Sequence, residues 1–403
     1  MKRLPIALGV TTGQLALITA AGMVIPVAAP VMAPIFDIDL ALLGSYSSTV
    51  YLLGVFTNYL VGSLVARYAS VRVTQIVLVM SALALIIALP GGLAALAMSA
   101  ILFGLFGTIS GAPSTDILAR LTTPGSAALV FSIKQSGQPL GGVLAGLAVP
   151  ALIVAFGWRG PFVAVALVLL LSAIAMQPMR GRYDGTPDPS VRIRFGNIGQ
   201  TFRAVFHNKD AGIFAVAVAT YCGVQIAFTA YAVTYLVDRL GYSLAVAGGL
   251  FAASQVAGAV GRILWGVVGA RFDVVRPLFG ALGPAMMIAA TAFASMAADW
   301  PVAAIAALSA AVGITAVSWH GLMFTEIVRL AKDKSDVGVL AGGVIGLSCL
   351  GAFVVPLVFA LLLKFTGSYA LAFVATSLPA GIMGLAVMRR GRRRPVVAAL
   401  PAD

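Results

Sequence analysis

Charge is what this sequence has least of. Asp, Glu, Lys and Arg make up 10% of its 403 residues, against about 25% in soluble globular proteins. So few charges cannot cover a water-facing surface of this size, and most of the surface must face lipid. Acids are scarcer still, with 13 Asp and Glu against 26 Lys and Arg. Cysteine occurs only at Cys222 and Cys349, each inside an apolar run and without disulfide or metal-site spacing. The two histidines are His207 and His320. The glycine-rich stretches lie within apolar runs, not in strand–loop–helix contexts, and no metal-ligand cluster or nucleophile–base–acid set is present. These absences argue against an enzyme, a cofactor, a metal site and an ATP-driven pump. The first apolar run follows Met1-Lys2-Arg3 directly and is too long for a signal h-region, so no cleavable signal peptide is expected.

What is present is hydrophobicity: 61% of the residues are hydrophobic and mean hydropathy is +1.04. A membrane-spanning helix needs about 20 apolar residues. Runs of that kind are expected at 6–33, 42–65, 72–89, 93–117, 128–155 and 160–179, and again at 211–236, 244–268, 277–297, 301–327, 338–363 and 369–388. The fold class is therefore an all-α membrane protein of twelve transmembrane helices. Its organisation is an N-terminal six-helix bundle over 1–179, a polar linker over 180–210, a C-terminal bundle over 211–389 and a basic tail over 390–403. The linker holds Gly181, Gly185, Pro187 and Pro189, with a short amphipathic helix expected near Ile198–Phe206. Pro26, Pro30 and Pro34 predict kinks or a broken outer end in the first helix.

The net charge of +13 is distributed as a membrane protein distributes it, so no nucleic-acid partner is expected. With the N-terminus in the cytoplasm, only Arg159, Arg239 and Lys364 fall outside. Lys134 and Arg262 fall within spans, and all other basic residues fall on the cytoplasmic side. That asymmetry predicts a multi-pass protein of the bacterial inner membrane with both termini cytoplasmic.

The two halves repeat. Gly62 through Ala66-Arg67-Tyr68 to Arg72 recurs as Gly266 through Ala270-Arg271-Phe272 to Arg276, an offset of 204. Gly111 with Thr115-Asp116-Ile117 recurs as Gly321 with Thr325-Glu326-Ile327, and Gly137 with Pro150 recurs as Gly343 with Pro356. Parallel repeats of this kind place a substrate site at mid-membrane between the halves. Gly62 to Arg72 resembles the signature loop of the major facilitator superfamily, with Ala66 and Ala270 in place of the usual acid and Ala69 in place of a glycine. The resemblance implies a monomeric carrier working by alternating access.

Charges inside the spans are costly and are functional candidates. Arg262 lies nine residues before Arg271, about 13 Å inward at 1.5 Å per residue, and Gln255 shares its helix face. Tyr51 and Asn58 occupy the repeat-equivalent positions. Gly261-Arg262-Ile263-Leu264-Trp265-Gly266 resembles the eighth-helix segment of oxalate/formate exchangers and nitrate porters. There, and in monocarboxylate transporters, an arginine binds the anion. The alternative is a structural charge bonded to backbone carbonyls. Lys134, about 10 Å inside the fifth helix, either shares that cavity or snorkels to its rim. His320, beside Trp319 on the tenth helix, is either a proton carrier or a neutral hydrogen-bonding group. Gln14, Tyr221, Gln225 and Tyr231 lie on helices that line the cavity by resemblance, Tyr231 more simply as an interhelical hydrogen-bonding group. The expected substrate-binding set is Arg262, Lys134, Asn58, Tyr51, Gln255, His320, Gln225, Tyr221, Trp319 and Gln14.

Asp116 and Glu326, followed by Arg120 and Arg329, predict a gate network with Arg67, Arg72, Arg271 and Arg276, formed when the cavity faces outward and broken when it opens inward. A cavity with positive charge and no carboxylate selects an anion. The reading that follows is a small organic anion, a monocarboxylate, taken up with protons or exchanged. The alternatives are export of a neutral or amphipathic compound, or a non-transporting receptor or scaffold, for which the short extramembrane segments offer no recognition module.

Overall fold

The computed structural model describes residues 3–122, 127–193, 198–331 and 336–391; of the expected tail over 390–403, residues 392–403 lie outside these. Twelve helices among the described residues are long and apolar enough to span a membrane. In order they are α1 Arg3–Phe36, α2 Leu40–Thr57 (continued by Val61–Tyr68), α3 Ser70–Ala88, α4 Gly92–Leu121, α5 Val130–Phe156 and α6 Gly160–Tyr183 in the first half. The second half holds α7 Lys209–Asp238, α8 Leu244–Gly269, α9 Val275–Ala294, α10 Val302–Leu330, α11 Gly338–Thr366 and α12 Tyr369–Arg390. No strand occurs among the described residues. Twelve is even, so the start of α1 and the end of α12 lie at one end of the bundle. We call this the basic end.

The first helix corrects one of its two expectations, the broken outer end: it is one helix from Arg3 to Phe36 with Pro26, Pro30 and Pro34 inside it. Neighbouring helices shield the freed backbone groups, so a membrane helix continues through proline where a soluble one would end. The breaks fall elsewhere. Turns at 58–60 interrupt α2, a 3-10 turn Gly107–Ser110 interrupts α4, Ser136 interrupts α5, and a π-turn Gly313–Val317 interrupts α10. Three of these breaks supply the backbone acceptors used at the centre of the molecule.

The repeat is legible in the backbone. Positive φ occurs at Asp37 and Gly241, at Ala69 and Asp273, and at Gly157 and Gly367. Each pair sits at matching turns of the two halves. Ala69, with φ 65° and ψ 160°, occupies a region that an L side chain tolerates poorly and glycine accepts. Ala69→Gly is therefore expected to raise stability by about 1 kcal/mol, read as a higher thermal unfolding midpoint of the detergent-purified protein. An unchanged or lower midpoint would refute the strain.

The linker divides its allegiance. Residues 184–193 lie on the first half: the Val71 N–H donates to Asp184 Oδ1 at 2.6 Å, the Asp188 N–H donates to the Ala66 carbonyl at 3.0 Å, and Arg67 Nη1 donates to the Val191 carbonyl at 2.9 Å. Burial pushes the Asp184 carboxyl above the ordinary carboxylate range, against the opposing pull of the Val71 N–H. The expected short helix is present at Ile198–His207. It packs on the second half, where Gly343 of α11 leaves room for Thr201 and Val205.

The halves meet tightly at the end opposite the termini. Tyr231 of α7 is fully buried and donates to the Ala41 carbonyl of α2 at 3.1 Å. Its ring stacks on Phe359 and fills the space that a side chain at Gly44 would need. Tyr231 is thus an interhelical hydrogen-bonding group. Separately, α5 and α8 touch backbone to backbone at Gly146 and Gly248, the close approach that small residues permit between membrane helices.

Candidate functional site

A cavity of about 660 Å³ runs between the halves. It extends to Asp116, whose side chain is 37% exposed, whereas the tyrosine seal at the other end is closed. The cavity is thus open towards the basic end.

Arg262 of α8 lies in the wall and is 8% exposed. Nε donates to the Val317 carbonyl at 3.0 Å, Nη1 to the Gln135 carbonyl at 2.6 Å and Nη2 to Gln138 Oε1 at 3.0 Å, while His320 Nδ1 stands 3.4 Å from Nη2. The local sequence explains each acceptor. Gln135 precedes Pro139 by four, and proline has no N–H to close the helical bond, so that carbonyl is left open. Val317 ends the π-turn of α10, and π-turns leave carbonyls poorly matched within their own helix. Trp265 Nε1, one turn along α8, takes the Ile314 carbonyl of the same turn at 2.8 Å. Arg262 therefore ties its own half to α5 of the other.

Lys134 is 2% exposed. Its Nζ donates to the Gly111 carbonyl at 2.9 Å and Thr115 Oγ1 at 2.7 Å, just past the 3-10 turn of α4. It lines the cavity and does not snorkel to the rim. Neither cation has a carboxylate within 4 Å among the described residues.

Of the remaining expected binding residues, Asn58, Tyr51, Gln255, His320, Gln225 and Trp319 all line this cavity. Asn58 donates to the Gly54 carbonyl at 2.7 Å and points at Cys349 Sγ across the halves. His320 stacks on Trp319 with ring centres 4.0 Å apart. Two expectations are corrected. Tyr221 is outside the wall: its hydroxyl donates to the Phe279 carbonyl at 3.0 Å and its ring stacks on Phe279, so it fastens α7 to α9. Gln14 is buried in α1 but does not line the cavity. Both slips have one cause: α1 and α7 are apolar all round, and composition cannot tell their cavity face from their packing face. Cys222, Cys349 and Phe103 line the cavity without any sequence signal beyond their place in apolar runs.

The expectation of a cavity free of carboxylates also needs correction, because Asp116 lines its mouth. That carboxylate is committed, pairing with Arg120 at 2.7 Å and accepting a short hydrogen bond from Ser70. Glu326 pairs with Arg276 at 3.6 Å, and Arg329 pairs with Asp273. These pairs stay within one half, and no ion pair joins the halves at the basic end among the described residues. Arg67, Arg72 and Arg271 form no ion pair among the described residues, and Arg67 holds the linker.

The sequence pattern of the Major Facilitator Superfamily matches residues 10–356. The Hexuronate transporter of Bacillus subtilis (strain 168) is 24% identical over 343 residues, covering 82% of this chain and 81% of that protein. Among solved structures, a bacterial homolog of the human lysosomal transporter Spinster, in an inward-facing and unoccupied conformation, superposes with a TM-score of 0.76. It is 15% identical, and the match covers 96% of this chain and 97% of the other. The nucleoside transporter NupG superposes with a TM-score of 0.73 at 12% identity, covering 96% and 99%.

Proposed function

Because this chain belongs to the major facilitator superfamily, we propose that its cavity carries a small organic anion with one main carboxylate across the bacterial inner membrane by alternating access. One observation supports this above others. Arg262 and Lys134, both more than nine-tenths buried in one cavity wall, meet only neutral acceptors. A buried cation without a counter-ion is costly, and a ligand carboxylate relieves the cost. An organic cation would gain no such partner, since the one lining acid among the described residues is held by Arg120.

A hexuronate is itself an organic anion, so the curated relative supports the same class. On the positive-inside pattern the basic end is cytoplasmic, and the conformation described above is then inward-open. Tyr231 and the Gly146–Gly248 contact act as the outer gate. Uptake with a proton, or exchange against a second anion, completes the cycle. His320, within reach of Arg262, is the candidate proton carrier.

A second reading rests on the same guanidinium. Three of its contacts are to acceptors that the backbone breaks and Gln138 already provide. In a carrier exporting a neutral or amphipathic compound, Arg262 would only brace α8. Counterflow in proteoliposomes separates the two, using a panel of small carboxylates, matched neutral amides and matched amines. Carboxylates alone are expected to exchange. Lys134→Gln keeps the hydrogen bonds and removes the charge, and is expected to raise the half-saturating carboxylate concentration about tenfold with the maximal rate little changed. Equal transport of the neutral amides would reject the anion reading.

A further inference from the structure

Several cavity-lining polar groups have nothing to bind. Gln225 of α7 is 5% exposed and Gln255 of α8 is 1% exposed. Gln225 Oε1 and Gln255 Nε2 are buried without a hydrogen-bond partner. Tyr51 of α2 lines the same cavity, and its hydroxyl makes no hydrogen bond among the described residues. Four lining hydroxyls are already engaged: Thr19, Thr108, Thr115 and Thr229 each bond to a carbonyl of their own helix. Gln225, Gln255 and Tyr51, on three different helices, hold their polar groups free.

The wall around them is specific in shape. A side chain at Gly142 would collide with Gln255, so α5 comes close enough to fix where that amide points. Tyr51 and Gln255 occupy equivalent positions of the two halves, separated by the repeat offset, and Asn58 and Arg262 follow seven residues later on each helix. The cavity thus has a charged level at Arg262 and an uncharged polar level two helical turns further from the basic end, about 10 Å away at 1.5 Å per residue.

We infer that this second level binds hydroxyl groups, and that the substrate is a polyhydroxylated carboxylate of about six carbons rather than a plain fatty or short-chain acid. This rests on the carboxylate reading above. A hydroxyl is both donor and acceptor, so it satisfies an amide oxygen, an amide N–H and a phenol alike. A hydrocarbon tail satisfies none and leaves buried amides unpaired, which is how polar sites reject analogues lacking a hydroxyl. An extended six-carbon acid reaches from its carboxylate roughly the distance between the two levels. Phe103 and Trp319 supply apolar faces for its C–H groups.

The test compares gluconate with hexanoate, acids of equal carbon number and charge, by titration calorimetry on the purified carrier. Wild type is expected to bind gluconate at least about tenfold more tightly. Gln225→Leu and Gln255→Leu are each expected to collapse that ratio towards one, with gluconate losing affinity and hexanoate gaining it. Gln225→Asn and Gln255→Asn, which keep an amide, should retain part of the preference if a leucine variant fails to fold. Wild type binding hexanoate as tightly as gluconate, or leucine variants that keep the full ratio, overturns the inference. In that case the carboxylate reading stands if Arg262→Gln still loses both acids. Binding of neither acid by wild type, or normal binding of both by Arg262→Gln, overturns the two together.

Discussion

Arg262→Gln is expected to lower carboxylate transport by about 100- to 1,000-fold while the protein remains folded. Truncating one member of a buried, hydrogen-bonded charge pair costs about 2–5 kcal/mol, and each 1.4 kcal/mol is a factor of ten. Glutamine still reaches one of the carbonyls that Arg262 serves, so the bracing of α8 is kept in part and the charge is lost. Arg262→Lys separates the two contributions. An ammonium restores charge, but its three donors cannot reproduce a planar fork spread over Val317, Gln135 and Gln138. It is expected to recover transport only partly. Initial rates in proteoliposomes, with a monodisperse elution profile as the folding control, decide the matter. Carboxylate transport by Arg262→Gln within a few-fold of wild type would show the arginine to be a brace alone.

The second large effect is expected at the proposed outer gate. Gly248→Leu should cut transport at least about 100-fold without abolishing binding. At Gly248 even a Cβ would overlap the Gly146 carbonyl, which is backbone and cannot rotate aside. A leucine there holds α5 and α8 apart and keeps the outer mouth open. Ligand reaches the site from outside but cannot be released inward. A cysteine placed at Ser47, on the cavity wall near that end, should label faster from outside in this variant than in the parent. Equal labelling with normal transport would mean that the contact is not a gate.

The positions of the twelve spans were legible in the sequence because they depend on counting apolar residues between charges, and the linker helix because its apolar residues recur at helical spacing. The Arg262 and Lys134 environments were legible only as positions within spans. Their acceptors arise from helix breaks at Gly313–Val317, at Ser136 before Pro139, and at Gly107–Ser110. A π-turn has no compositional mark, although the proline four residues beyond Gln135 was in plain view. Tyr221 and Gln14 were misassigned because a polar group on an all-apolar helix faces either a cavity or a neighbour's carbonyl with equal ease. Arg67 was read as a gate residue for its sequence motif. Its partner is the Val191 carbonyl, in a linker whose path no local propensity specifies.

The open carbonyl of Gln135 has a practical corollary for mutational scanning. What that residue contributes to Arg262 is a main-chain oxygen, present in all twenty amino acids. A scan that truncates side chains one at a time leaves this contact intact at position 135 and disturbs it only through Pro139, where any replacement returns the missing N–H and closes the carbonyl into its own helix. Part of what holds Arg262 in place is therefore encoded four residues from where it acts, as the lack of a hydrogen atom.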